Sequence, residues 1–175
     1  VKIRTNDMDR WRTFALDVLG FAEGSGPDPD ALYLRTDERR ARLVVVPGES
    51  DRIVDIGWEV RDRAAMLRVQ RAVEDAGVAV KPLSVEDADA RGVEEVIAFE
   101  DPSGTSVEVF HGAVLDHSPV ITPHGARFVT GTQGLGHVVL PVTAPDAAFE
   151  FYTEVLGFLP RGAFRLDTPP EFGPQ

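Results

Sequence analysis

The sequence predicts an α+β fold made of tandem modules, each a strand, a helix and three further strands, with a third module that is incomplete. Three observations predict it. The tetrapeptide VLGF occurs at 18–21 and again at 155–158, an offset of 137 residues. At that offset Phe14 falls on Phe151, Asp17 on Glu154 and Asp9 on Asp146, while the apolar start around Ile3 falls on Leu140. Chance can repeat four letters, but it does not easily repeat the strand before them, the helix length and the strand after them. A glycine follows each of three helix-like stretches, at Gly20, Gly77 and Gly157. Finally, short runs rich in β-branched residues, bounded by turn residues, fill the gaps between those helices.

In chain order, an apolar start around Ile3 leads to a helix capped by Asn6 or Asp7, with Met8, Trp11, Ala15, Val18 and Leu19 at helical spacing on its buried face. Strands follow at 31–36, 41–46 and 53–60. The stretch 62–76 reads as the second helix, with Met66, Val69 and Val73 inward, and strands at 93–100 and 105–110 complete the second module. The acidic run 86–89 reads as a solvated loop or short helix. Residues 113–134 carry proline, glycine and polar residues without periodicity, as an interdomain linker does. The expected division is therefore a paired-module domain at 1–112, a linker at 113–134, and the start of a second domain at 135–175. In that last part a strand over 135–140 precedes a helix with Pro145 in its first turn and Phe149, Tyr152, Val155 and Leu156 inward, followed by a second strand after Gly157.

Composition narrows the chemistry. With 175 residues, 43% of them hydrophobic, the chain can bury a sizeable core. Acidic residues outnumber basic ones by 29 to 18, giving a net charge of -11, and no basic cluster lies beside an aromatic platform; nucleic acid and anionic membranes are not expected partners. No apolar run reaches membrane-spanning length, and the first residues, VKIRTNDMDRW, hold no signal-peptide core, so a cytoplasmic location is expected. The absence of cysteine removes disulfides and thiolate sites, leaving His, Asp and Glu as ligands for a hard metal ion.

Among the four histidines, His137 stands out. Gly131, Gly134 and Gly136 break the chain before it, and Val138, Val139 and Leu140 follow, which places the imidazole at a strand's entrance facing an interior. Such a histidine serves either as a metal ligand or as a hydrogen-bonded packing residue, and local sequence leaves both open. His111, His117 and His124 lie in or beside the linker with no strand to fix them, and are expected at the surface.

The repeated module, the ALYLR and ARLVVVPGE strands, the DPSGTSVEVFHG segment at 101–112 and the RFVTGTQGLGHVVL segment at 127–140 resemble type I extradiol catechol dioxygenases of the vicinal oxygen chelate superfamily, the 2,3-dihydroxybiphenyl and steroid-catechol branches in particular. The resemblance covers the whole chain. It implies four modules in two domains, a metal-free first domain, and Fe(II) held in the second by two histidines and a glutamate, an arrangement that leaves open positions for a catechol and O2. By this resemblance His137 is the first iron ligand, and Val139, two residues on, lines the substrate pocket. The remaining ligands and the proton-shuttling histidine would lie beyond Gln175, and the offset of 137 puts the first-domain counterpart of His137 immediately before Val1. The expectation is thus a fragment of a longer enzyme, cut at both ends and inactive alone, with a homo-oligomer expected for the whole.

Glu108 occupies the position at which single-domain relatives of that superfamily place a metal-ligating glutamate. No histidine precedes it in its module, so it is expected to be a vestigial carboxylate without a partner. Two functions follow from the resemblance: an Fe(II)-dependent ring-cleaving dioxygenase of aromatic or steroid degradation, or a noncatalytic binding module of the glyoxalase and bleomycin-resistance kind.

Overall fold

Two copies of the module share one eight-stranded sheet in the structure, a computed structural model that describes residues 1–131 and 134–162. The first copy runs β1 (Lys2–Thr5), α1 (Met8–Thr13) with a π-helical turn over Phe14–Val18, β2 (Ala22–Glu23), β3 (Leu32–Arg35) and β4 (Leu43–Pro47). The second runs β5 (Arg52–Glu59), α2 (Arg63–Asp75), β6 (Lys81–Pro82), a short α3 (Val85–Arg91), β7 (Glu95–Glu100) and β8 (Ser106–His111). Sheet order is β2-β3-β4-β1-β5-β8-β7-β6. Each module's first strand lies parallel to its last, β1 on β4 and β5 on β8, and the antiparallel pair β1–β5 joins the two modules. The order reads the same from either edge, so the modules are related by a local twofold between β1 and β5.

Period-two alternation sends one side of each strand to a helix. Leu32, Leu34, Leu43 and Val45 meet Ala15 of the first helical segment, while Ile56, Ile97, Phe99, Val107 and Val109 meet Met66 and Val73 of α2. Asp62 caps α2 by accepting a hydrogen bond from the Ala65 N–H, and Asp7 does the same for α1 through Arg10. The 86–89 run is helical: Ser84 and Asp87 form a reciprocal capping box, and Gly92, at φ 67°, ends α3 in the left-handed region.

The repeat at offset 137 is reproduced in its helix, π turn and glycine stop. Residues Pro145–Glu150 form α4, followed by a second π turn over Phe151–Val155. The Leu19 N–H donates to Phe14 O at 3.0 Å and the Leu156 N–H to Phe151 O at 3.1 Å, while Gly20 and Gly157 stop the two copies at φ 71° and 74°. The expected buried faces hold only in part. Val18 and Leu19 stand exposed, whereas Val155 and Leu156, at the same places in the second π turn, pack against the core of the second module. In the second copy Phe151 is buried in place of Phe149, which is exposed.

The strand expected at 135–140 does not form. In both complete modules the first strand is paired with the fourth, and among the described residues the third module offers no fourth strand. After Gly157, residues 158–162 form no strand, and the rest of the expected second strand lies outside the described residues. The 113–134 stretch, apart from Thr132 and Gln133, which also lie outside them, wraps the first module with one isolated bridge, Arg39 to Leu115. The buried Arg35 guanidinium donates to Ser118 Oγ at 2.8 Å and to Asp116 O at 3.1 Å, and Phe128 stacks on Phe21 at 5.4 Å. Among the described residues no helix is long and apolar enough to cross a membrane.

Candidate functional site

His137 follows Gly134 and Gly136, both at positive φ, and enters a segment in which burial alternates. Val138 and Leu140 pack against the core of the second module, whereas His137 and Val139 turn away from it, Val139 to 77% exposure. The imidazole thus lies at the surface rather than facing an interior. The period of two was legible in the sequence, but the sense of the alternation was not, because it depends on which neighbour receives Val138 and Leu140.

Just beyond, the third module is fastened to the second. The Thr143 N–H donates to Ser103 Oγ at 3.2 Å, and the Tyr152 hydroxyl donates to Asp101 Oδ2 at 3.0 Å. Asp101 is itself buried, its Oδ1 accepting from the Ser103 and Thr105 N–H groups of the Asp-Pro-Ser-Gly turn. Burial first, and then the bond to the Asp101 carboxylate, pushes the Tyr152 phenol well above its ordinary pKa. Phe151 meets Phe99 edge-on at 6.1 Å, and Phe158 meets Trp58 at 4.8 Å. This latch was missed in sequence. The Asx turn at Asp101 has a readable signature, but the spare oxygen pointing at Tyr152 does not.

Glu108 has a partner, contrary to expectation. Its side chain is 13% exposed, and Arg91 of α3 donates to it from Nε at 2.9 and 3.0 Å and from Nη2 at 2.6 Å. The hydrogen bond to Glu108 holds the Arg91 guanidinium above its ordinary pKa, against burial. His111 also departs from expectation: it ends β8 and is only 7% exposed, with Nδ1 3.5 Å from Glu94 and Nε2 3.6 Å from Glu95. His117 and His124 are exposed as expected, His124 Nε2 lying 2.9 Å from Asp17 O.

Two clefts flank these groups. One, of about 1190 Å³, lies between the first module and the 113–131 segment and includes Thr36, Arg39, Arg42, His117, Arg127 and Phe128 in its wall. The other, of about 350 Å³, is lined by Leu140, Pro145, Ala148, Phe149, Tyr152 and Phe158 among others. Val139 lines neither. Among the described residues no three His, Asp or Glu side chains converge as a metal-holding group. His137 belongs to no such group, so the described residues on their own do not fit a resident iron.

Comparison with known proteins gives consistent results. Residues 1–48 match the family described as Dihydroxybiphenyl dioxygenase BphC D1, and residues 134–173 match the Glyoxalase/Bleomycin resistance protein/Dioxygenase superfamily. The chain is 50% identical over 171 residues to the iron-dependent extradiol dioxygenase of Rhodococcus jostii (strain RHA1), covering 98% of this chain and 56% of that protein. It is 41% identical over 154 residues to the 3-methylcatechol 2,3-dioxygenase of Pseudomonas putida (strain F1), covering 87% of this chain and 53% of that one. Among solved structures, BphC, a halotolerant catechol dioxygenase, superposes with a TM-score of 0.84 at 32% identity, over 90% of this chain and 53% of that one. The chain spans about half the length of the curated relatives it matches.

Proposed function

We propose, from the premise that this chain belongs to the extradiol dioxygenases of the glyoxalase, bleomycin-resistance and dioxygenase superfamily, that the whole protein cleaves a catechol ring beside its diol with O2, using Fe(II). The observation that carries this reading is 50% identity to an iron-dependent extradiol dioxygenase over 98% of the chain. In this reading His137 is one iron ligand and Val139 a wall of the substrate pocket. The other ligands come from outside the described residues.

The chain's own residues supply the scaffold. In the same reading the paired-module domain, 1–112, is metal-free, which the engagement of Glu108, the carboxylate best placed for a ligand, by Arg91 supports. The third module leans on it through Phe151, Tyr152 and the alternating Val138 and Leu140, which fixes the direction in which His137 and Val139 leave the segment. Preorganisation of this kind matters because a ligand held loosely by even 1 Å loses much of its affinity.

His137→Ala in the whole protein tests the assignment. Iron content by mass spectrometry should fall by about tenfold or more, as loss of a direct metal ligand requires, and catechol-dependent oxygen uptake should vanish with it. Stoichiometric iron and normal turnover in that variant would remove His137 from the site. If the unmutated whole protein, loaded with Fe(II), consumes no oxygen with any catechol, the noncatalytic binding-module reading takes its place.

A further inference from the structure

The proposed reaction makes no use of the cleft of about 1190 Å³ between the first module and the 113–131 segment, yet the wall of this cleft holds polar groups that the fold leaves unspent. Thr36, directly after β3, is 7% exposed, and its hydroxyl oxygen meets no partner among the described residues. Arg39 donates from Nη2 to both oxygens of Glu59 at 2.7 Å, while its buried Nε has no acceptor. Buried polar atoms are paired in the great majority of cases. Two orphaned donors in one wall therefore ask for an acceptor that the fold does not supply. Charge points the same way. Of the four acids in the wall, Asp37 is held by Arg42, Glu59 by Arg39 and Asp116 by Arg35, and Glu38 is exposed. Among the cations Arg61 is paired to Asp62, but Arg127 is exposed and in no ion pair among the described residues. Phe128, next to it, stacks on Phe21 and still leaves 36% of its surface open.

We propose that this cleft binds a small aromatic carboxylate. The carboxylate takes the charge of Arg127 and the hydrogen bonds that Thr36 and Arg39 Nε have to give, and the ring lies along the open part of Phe128. A guanidinium beside a carboxylate makes a charge-assisted hydrogen bond, stronger than one between neutral groups. An inorganic anion would meet the donors and leave Phe128 unused; a neutral aromatic molecule would use Phe128 and leave the donors unmet. The combination of a few placed donors with an apolar wall is what orients a small ligand in a concave site. The cleft is already open, so binding asks for side-chain rotation at Thr36 and Arg39 and for no movement of the backbone. His137 takes no part, and the failure of this site would leave the ring-cleaving reading untouched.

Calorimetric titration of the whole protein with benzoate, and with benzamide as its neutral isostere, tests the site. Benzoate should bind saturably and keep its affinity in His137→Ala. Benzamide should bind at least about tenfold more weakly, and Arg127→Gln should weaken benzoate by about tenfold or more, as the loss of a hydrogen bond between charged groups requires. Thr36→Val exchanges the hydroxyl for a methyl group and should weaken benzoate by about fivefold, while Thr36→Ser, which keeps the hydroxyl, should restore most of the affinity. No saturable binding of benzoate would overturn the proposal, as would equal affinity for benzamide or an affinity unchanged by Arg127→Gln. Binding that disappears in His137→Ala would overturn it too, by assigning benzoate to the iron site. Arg127 is exposed, so its substitution leaves the fold intact and decides the question should the Thr36 variants not fold.

Discussion

Arg91 reaches Glu108 through three hydrogen bonds, and these occupy lone pairs that a cation would need. The strand and face of Glu108 were legible from period-two alternation through Val107 and Val109. Its partner was not, because Arg91 lies 17 residues away and meets it only when α3 folds across the sheet face opposite α2. The pair is partly accessible, so removing one member should cost less than in a dry interior. We expect Arg91→Met to lower stability by about 2 kcal/mol and Glu108→Gln by about 1 kcal/mol. Arg91→Met combined with Glu108→Gln should cost less than the sum of the single changes. Urea denaturation of the four proteins measures this cycle. Metal content of the whole protein should be unchanged in Glu108→Gln, and loss of one metal equivalent would restore that residue as a ligand. His111 was misread for a related reason: the linker's composition runs up to it, but the last rung of β8 pairs it with Glu95 and buries it.

At the level of elements, the helices and the longer strands of both complete modules stand within a few residues of where alternation, caps and glycine stops put them, whereas the two-residue β2 and β6 are too short to be bounded in sequence. The π turn could not be read, because Val18 and Leu19 fit a 3.6-residue period as well as any core pair, and a bulge of one residue leaves no mark in composition. What the sequence does carry is the stop. At Gly157 an added Cβ would meet nothing within 4 Å, yet φ is +74°, so replacement is opposed by backbone conformation and not by crowding. Gly157→Ala should therefore cost about 1 kcal/mol, and Gly157→Asn distinctly less. The readout is amide exchange at Phe158, whose N–H donates to Tyr152 O at 2.8 Å. Exchange faster by about fivefold in the alanine variant, with the first copy at Phe21 unaffected, is the result expected of a local stop. Equal exchange in both variants would mean that the glycine is not what ends the turn. The capping box on α3 adds a pH dependence of known sign. Hydrogen bonds from the Ser84 hydroxyl and N–H hold the Asp87 carboxyl below its ordinary pKa, so its contribution is present above the ordinary carboxylate range and is lost as pH falls through the depressed value.

In the molecule as a whole, the residues that follow 113–134 lie in contact with those that precede it. Composition marks 113–134 as a connection, but composition says nothing about whether the residues after it lie against the residues before it. Phe151 enters the core of the second module, and the Tyr152 hydroxyl bonds the buried Asp101. Tyr152→Phe removes that hydroxyl and leaves the ring contacts with Phe151 and Phe158 in place. A hydrogen bond to a carboxylate at a half-buried site should contribute about 1–2 kcal/mol to docking. The loss should appear as faster amide exchange over 145–158 at neutral pH, while α2 and β5 to β8 stay protected. The alkaline behaviour has a definite direction. Because the docked phenol has a raised pKa, both docked and undocked forms are protonated below the ordinary value of about 10, and the bond contributes in full there. Above that pH the undocked form ionises first, so docking weakens as pH rises toward the raised value. Tyrosinate absorbance in the parent should accordingly show one of its two tyrosines ionising late and together with release of the 145–158 segment, and this late step should be missing in Tyr152→Phe. A parent in which both phenols ionise near the ordinary value, with exchange over 145–158 unchanged by the mutation, would mean that Phe151 and its neighbours hold the third module without the latch.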